Sequence, residues 1–143
     1  MANYVQITFD ADDPPALAQF WALALDYQLQ SPPPGFDTWD DVADVQGVAP
    51  EDRSNYGAVV DPAGQGPRLL FPKVPEGKAA KNRVHLDVGV ADTAGHATTL
   101  LEAGATHVAD VEEFGSAWTV LQDPEGNEFC VVPRPGSGGD PQP

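Results

Sequence analysis

In KNRVHLDVGVAD, residues 81–92, a histidine stands in a run that alternates like a β-strand. Val84, Leu86 and Val88 point to one face; His85 and Asp87 point to the other. An imidazole on the polar face of a strand is a candidate metal ligand. The chain has one further residue of comparable chemistry, its single cysteine, Cys130. A lone cysteine excludes an intrachain disulfide and a Cys-based zinc site. Cys130 reads either as a reactive pocket thiol or as an inert packing residue. His96 falls on a helix beside its apolar stripe and His107 starts a strand, so both read as surface or partly buried positions. No G-x-S-x-G, phosphate-binding glycine loop or H-E-x-x-H motif is present.

The bulk numbers bound what such residues can serve. The 143 residues suit one domain with a real core, and a hydrophobic fraction of 41% is ordinary for a globular chain. Seven Lys and Arg against 22 Asp and Glu give a net charge of −15. That balance disfavours nucleic acid and anionic membranes as partners. It fits a solvated acidic surface, or steering of a cationic ligand. No apolar run approaches the roughly 18 residues of a membrane span, and MANYVQITFD lacks the pattern of a signal peptide, so a cytoplasmic location is expected. Five of the seven cations lie between Arg68 and Arg83, a basic band that is either a solvated connector or an entrance for an anionic ligand.

The elements that must position these residues follow from periodicity. Residues 4–10 alternate, with Val5, Ile7 and Phe9 on one face and Gln6, Thr8 and Asp10 on the other. Asp13 is an N-cap and Pro14 suits the first turn of a helix over 13–25. SPPPG at 31–35 breaks the pattern. For 36–54 a strand containing Trp39, Val42 and Val45 competes with a loop beside a pocket. Tyr56–Val60 and Arg68–Val74 read as strands around the turn DPAGQG, and 75–82 is a polar connector. Arg83–Val90 is again a strand, and Asp92 caps a helix that runs to about Ala103 and stops at Gly104. Strands follow at 106–111, 117–122 and 127–133. The tail, 134–143, is Gly/Pro-rich and expected to be disordered.

The order repeats: strand, helix, three strands, twice. An offset of 79 puts His85 on Gln6, Leu86 on Ile7 and Asp92 on Asp13. The closing hairpins, VVDPAGQGPRLLF and LQDPEGNEFCVV, share Asp-Pro-x-Gly. The chain is therefore an α+β protein of two tandem β-α-β-β-β modules, about 3–74 and 82–133, within one domain over 1–133.

DPPALAQFWALALDY (13–27), KNRVHLDVGVAD (81–92) and VLQDPEGNEFCVV (120–132) give the chain its resemblance to the vicinal oxygen chelate superfamily. That superfamily covers glyoxalase I, the bleomycin resistance proteins and the extradiol dioxygenases. More narrowly, the chain resembles the glyoxalase-like domain proteins over residues 4 to 133. The resemblance implies a curved mixed sheet around a cavity, with helices on the outer faces. Gln6, Thr8, Asp10, His85 and Asp87 would then line the cavity, and Val5, Ile7, Phe9, Val84, Leu86 and Val88 would meet the helices. It also implies a homodimer.

Metal-using relatives place one ligand on the first and last strand of each module. Carried over, those positions are Gln6, His85, Glu128 and a fourth that falls on Arg68, or on Leu69 if the register slips by one. Neither of the last two can ligate a metal, and a guanidinium repels a dication. Three alternatives stay open. His85, Glu128 and Gln6 bind a divalent ion (Zn, Ni, Mn or Fe); or they line a metal-free pocket in which Arg68 pairs with Glu128; or they are structural. With a metal, the resemblance implies a lyase, isomerase or dioxygenase in which Glu128 moves a proton. The alternative is a non-catalytic protein that sequesters a small molecule, as bleomycin resistance proteins do, with Trp39, Tyr56 and Trp118 stacking on a planar ligand and Cys130 nearby.

Overall fold

Asp13 begins the first helix as its sequence requires. Its carboxylate accepts from Ala16 N at 3.2 Å, and Pro14 and Pro15 open helix α1, Pro14–Leu25. The computed structural model describes residues 1–135; most of the tail expected to be disordered lies outside the described residues. The chain divides into two units, Met1–Gly77 and a second beginning at Lys78, which are the two modules. No helix among the described residues is long and apolar enough to cross a membrane.

In module one, strands β1 (Ile7–Thr8), β2 (Gln28–Leu29), β3 (Tyr56–Val60) and β4 (Leu69–Pro72) form a mixed sheet in the order β1-β4-β3-β2. β1 runs parallel to β4, with Ile7 opposite Leu69 and Thr8 opposite Leu70. Ile7, Phe9 and Ala11 donate in turn to the carbonyls of Arg68, Leu70 and Pro72, a parallel ladder that extends beyond the short formal strand. α1 covers the face bearing Val59, Leu69 and Phe71, all fully buried, and contributes Leu17, Trp21 and Ala24 to the same core. The Phe9 ring stands edge-on to both Trp21 (5.1 Å) and Phe71 (5.7 Å). Gly57 lies where α1 crosses the sheet: a Cβ there would sit 2.6 Å from the Pro14 carbonyl oxygen. Only glycine permits so close a helix.

Module two repeats this plan. Strands β5 (Leu86–Val90), β6 (Thr106–Glu113), β7 (Ser116–Gln122) and β8 (Glu128–Pro133) take the order β5-β8-β7-β6, with β5 parallel to β8. Helix α3 (Thr93–Glu102) is capped by Asp92, as α1 is by Asp13. Its Ala97 and Leu100 are buried, as are Val88, Leu121, Phe129 and Val131.

Two expectations change. First, 36–54 is neither strand nor loop. Helix α2 spans Trp39–Gln46, a 3₁₀ turn follows at Pro50–Asp52, and the additional strand of module one is Gln28–Leu29. Thr38 and Asp41 form a capping box, and Asp40 and Asp41 sit in the first turn, where the helix dipole favours negative charge. Aspartate is unfavourable in a buried strand, but at these positions it starts a helix. Arg53 ties it down, donating to Asp44 (2.6 Å), Asp40 (3.4 Å) and the Val48 carbonyl. Second, β1 and β5 start later than the alternation suggests. Val5 and Val84 precede them and are exposed rather than packed under helices.

The shared Asp-Pro-x-Gly turns have a common cause. The Asp61 carboxylate accepts from the backbone N–H groups of Ala63, Gln65 and Gly66. The Asp123 carboxylate accepts from Glu125 N, Asn127 N and Asn127 Nδ2. These bonds hold the Asp61 carboxyl below the usual carboxylate range. Its contribution to stability is therefore present above that range and declines as pH falls through the lowered pKa. Asp123 is 2% exposed, so Asp123→Ala leaves three partly buried donors without their acceptor and should cost about 1–3 kcal/mol in urea unfolding. Asp61→Ala should cost less, and its effect should shrink at acid pH.

Candidate functional site

The parallel pairing of first and last strands places the candidate residues in two groups, one on each sheet. In module one Gln6 and Arg68 immediately precede β1 and β4, so they are neighbours although 62 residues apart in sequence. Arg68 Nη1 donates to Gln6 Oε1 and Arg68 Nε to Gln30 Oε1, both at 2.7 Å. Arg68, not Leu69, thus occupies the position beside Gln6; Leu69 is buried in the core. Thr8 shares this sheet face through its pairing with Leu70. Asp10 lies beyond β1, exposed.

Beside this cluster is a pocket of about 600 Å³ within module one. Arg68, Leu70, Ala58 and Tyr56 from the sheet, Gln30 at the end of β2, and Trp39, Asp40 and Ala43 from α2 all line it. Trp39 is half-exposed and its indole N–H donates to the Gln30 carbonyl at 2.9 Å. Gln30 therefore holds the aromatic wall with its backbone and the guanidinium with its side chain. No carboxylate of this module pairs with Arg68.

In module two Glu128 opens β8 and His85 directly precedes β5. Asp87 lies opposite Cys130 in the parallel ladder, and Val120 lies opposite Cys130 on the other side. Alternation therefore puts His85, Asp87, Trp118, Glu128 and Cys130 on one sheet face. Within that set His85, Asp87 and Cys130 converge: one donor atom from each lies within 4.8 Å of the others, and His85 Nε2 is 3.4 Å from Asp87 Oδ1. Burial first, then the charge and hydrogen bond of Asp87, push the Cys130 thiol up to about 11. Cys130 is thus a neutral, protonated thiol, not a ready nucleophile.

Glu128 belongs to a different network. Its Oε2 accepts from Lys81 Nζ at 2.6 Å and from Asn82 N at 3.2 Å, and Asn82 Oδ1 accepts from Glu128 N. The Lys81 hydrogen bond holds this carboxyl below the usual range, which makes Glu128 a weaker base than an ordinary glutamate. His107 stands 3.2 Å from Asp110 on β6, apart from the cluster.

Gln30, Arg53, Lys81 and Asn82 were not foreseen. Lys81 and Asn82 did open the stretch that carries His85, within the basic band. Gln30 had no signal beyond its place before SPPPG.

The positions implied by metal-using relatives differ in donor chemistry. Arg68 has no lone pair to offer. Gln6 Oε1 already accepts from Arg68, and Glu128 Oε2 from Lys81. The Arg68 position therefore supplies no fourth ligand.

A family model described as glyoxalase-like domain matches residues 6–132. No curated protein matches the chain significantly. Solved structures do. A glyoxalase/bleomycin resistance protein/dioxygenase family enzyme from Burkholderia phytofirmans is 17% identical, with TM-score 0.61, covering 91% of this chain and 97% of its own. The bleomycin-binding protein of Streptomyces verticillus, complexed with copper(II)-bleomycin, is 15% identical, with TM-score 0.54 and coverage of 93% and 98%. The fosfomycin resistance protein FosX of Listeria monocytogenes, complexed with Mn(II), is 8% identical, with TM-score 0.65 and coverage of 94% and 93%. At these identities they establish a shared fold.

Two substitutions check the electrostatics of module two. Lys81→Ala should raise the Glu128 carboxyl pKa toward the ordinary range, read by carbon NMR of the side-chain carboxyl; an unchanged value would contradict the Lys81 assignment. Asp87→Asn removes the negative charge beside Cys130, so the thiol pKa should fall and alkylation by iodoacetamide at pH 8 should be faster than in the wild type.

Proposed function

This chain belongs to the glyoxalase-like domain family of the vicinal oxygen chelate superfamily, and on that premise we propose that it binds a small organic molecule in the pocket of module one. The observation that carries this reading is the pocket itself, about 600 Å³ with an indole held in its wall. Ligand cavities occupy roughly 300–1,000 Å³ and combine apolar walls with few polar groups. Leu70, Ala58 and Ala43 supply the apolar surface, Trp39 and Tyr56 the flat faces, and Gln30 and Arg68 the polar ones. Binding without catalysis, for which the bleomycin-binding protein of Streptomyces verticillus is a precedent on this fold, requires no more than this. Titration with flat aromatic compounds should quench tryptophan fluorescence saturably, and Trp39→Phe should remove most of the change. A quench that stays linear with concentration and survives Trp39→Phe would overturn the reading.

A second reading is favoured by the convergence of His85, Asp87 and Cys130. One imidazole, one carboxylate and one thiolate are a donor set for a thiophilic divalent ion such as zinc, with a position left for water or substrate. The Mn(II)-bound FosX is a precedent for metal use on this fold. An ion bound here would polarise an oxygen of the substrate. Because the Cys130 proton must leave, affinity should rise with pH, about tenfold per unit below the thiol pKa. Cobalt(II) should give a thiolate-to-metal charge-transfer band that Cys130→Ser abolishes and Glu128→Gln leaves in place. A band that survives Cys130→Ser would overturn this reading.

A further inference from the structure

We propose that Arg68 makes the module-one pocket selective for aromatic carboxylates, with the guanidinium pairing the acid and Trp39 and Tyr56 taking the ring. This rests on the reading of that pocket as the ligand site and goes beyond it by assigning the class of ligand.

The way Arg68 is held points to this chemistry. Its two side-chain hydrogen bonds both run to neutral amide oxygens, of Gln6 and Gln30. Such acceptors fix the position of a cation without cancelling its charge, whereas a carboxylate would do both. No carboxylate of the module pairs with Arg68, and the donors of Nη2 are left for a ligand. The other arginine lining the pocket is in the opposite condition. Arg53 is paired with both Asp40 and Asp44 and also donates to the Val48 carbonyl. Two acids line the pocket: Asp40 is matched by Arg53, and Asp52 accepts from Asn55 Nδ2 at 3.3 Å. Of the two guanidiniums, Arg68 is the one with no carboxylate partner among the described residues.

The acidic composition suggests a cationic ligand, and the pocket suggests the reverse. The difference is one of range. The −15 of the whole chain acts over distances that salt screens within about 8–10 Å. At contact, a positioned guanidinium dominates. Gln30 then sets the spacing of the recognised groups. Its carbonyl takes the Trp39 indole N–H and its side chain takes Arg68 Nε, so cation and aromatic face are fixed to one residue. A ligand that satisfies both has its acid attached to its ring. Ala58 and Leu70 also line the pocket and offer no competing donor side chain.

The test uses the full chain and three probes of one shape: 2-naphthoate, 2-naphthamide and 2-naphthylmethylammonium, each titrated calorimetrically. The acid should bind tightest. Arg68→Met should weaken the acid by roughly 10- to 100-fold, the worth of a charge-assisted hydrogen-bond pair, and leave the amide nearly unchanged. Arg68→Lys, which keeps charge but loses the fork, should fall between. Equal binding of acid and amide, preference for the ammonium, or an acid preference that survives Arg68→Met would each overturn the carboxylate assignment while leaving the pocket as a ligand site. If none of the three binds saturably, the pocket reading itself fails and this inference falls with it. The wild-type acid-against-amide comparison decides the matter even if the Arg68 variants do not fold.

Discussion

In each module the first strand lies alongside the last, parallel and hydrogen-bonded, and the candidate site depends on that pairing. It closes a loop of some sixty residues in module one, seating Gln6 beside Arg68. In module two it seats Asp87 opposite Cys130 and brings His85 next to the start of β8. Parallel neighbours cannot be joined by a short turn. The intervening helix and hairpin are the means of returning the chain to the right place, and the helix then buries the opposite face of the sheet. The carboxylates of Asp61 and Asp123 hold the two turns from which the last strands leave. An error in either turn would shift the last strand and separate the paired side chains.

Much of this was legible in the sequence because the signals are local. Asp13 and Asp92 cap helices as their positions before apolar stripes indicate. The offset of 79 between the halves is reproduced by the ladders: Ile7 faces Leu69 and its counterpart Leu86 faces Phe129, so Arg68 and Glu128 hold equivalent places. The alternation that put His85 and Asp87 on one face also held.

What was not legible depends on competition between signals or on distant partners. Four of the aspartates in the 36–54 segment, Asp37, Asp40, Asp41 and Asp44, argue against a buried strand. The Thr38–Asp41 capping box converts the same residues into a reason for a helix. Cys130 and Asp87 are 43 residues apart, and only the register of β5 on β8 brings them together. The bonds of Arg68 to Gln30 and of Glu128 to Lys81 are likewise long-range. Charge counts identified a basic band without saying which carboxylates it serves. Two of its members, Arg68 and Lys81, proved to have opposite situations, one beside neutral amides and the other against an acid.

The duplicated halves began from one pattern and no longer offer the same chemistry at equivalent places. Where module two presents His85 and Glu128, module one presents Gln6 and Arg68. A guanidinium is charged at any pH at which the protein is folded. That charge is encoded in the chain and does not have to be acquired from outside. It is in place as soon as β1 pairs with β4, it does not depend on how much trace metal a cell has to distribute, and no chelator can strip it out.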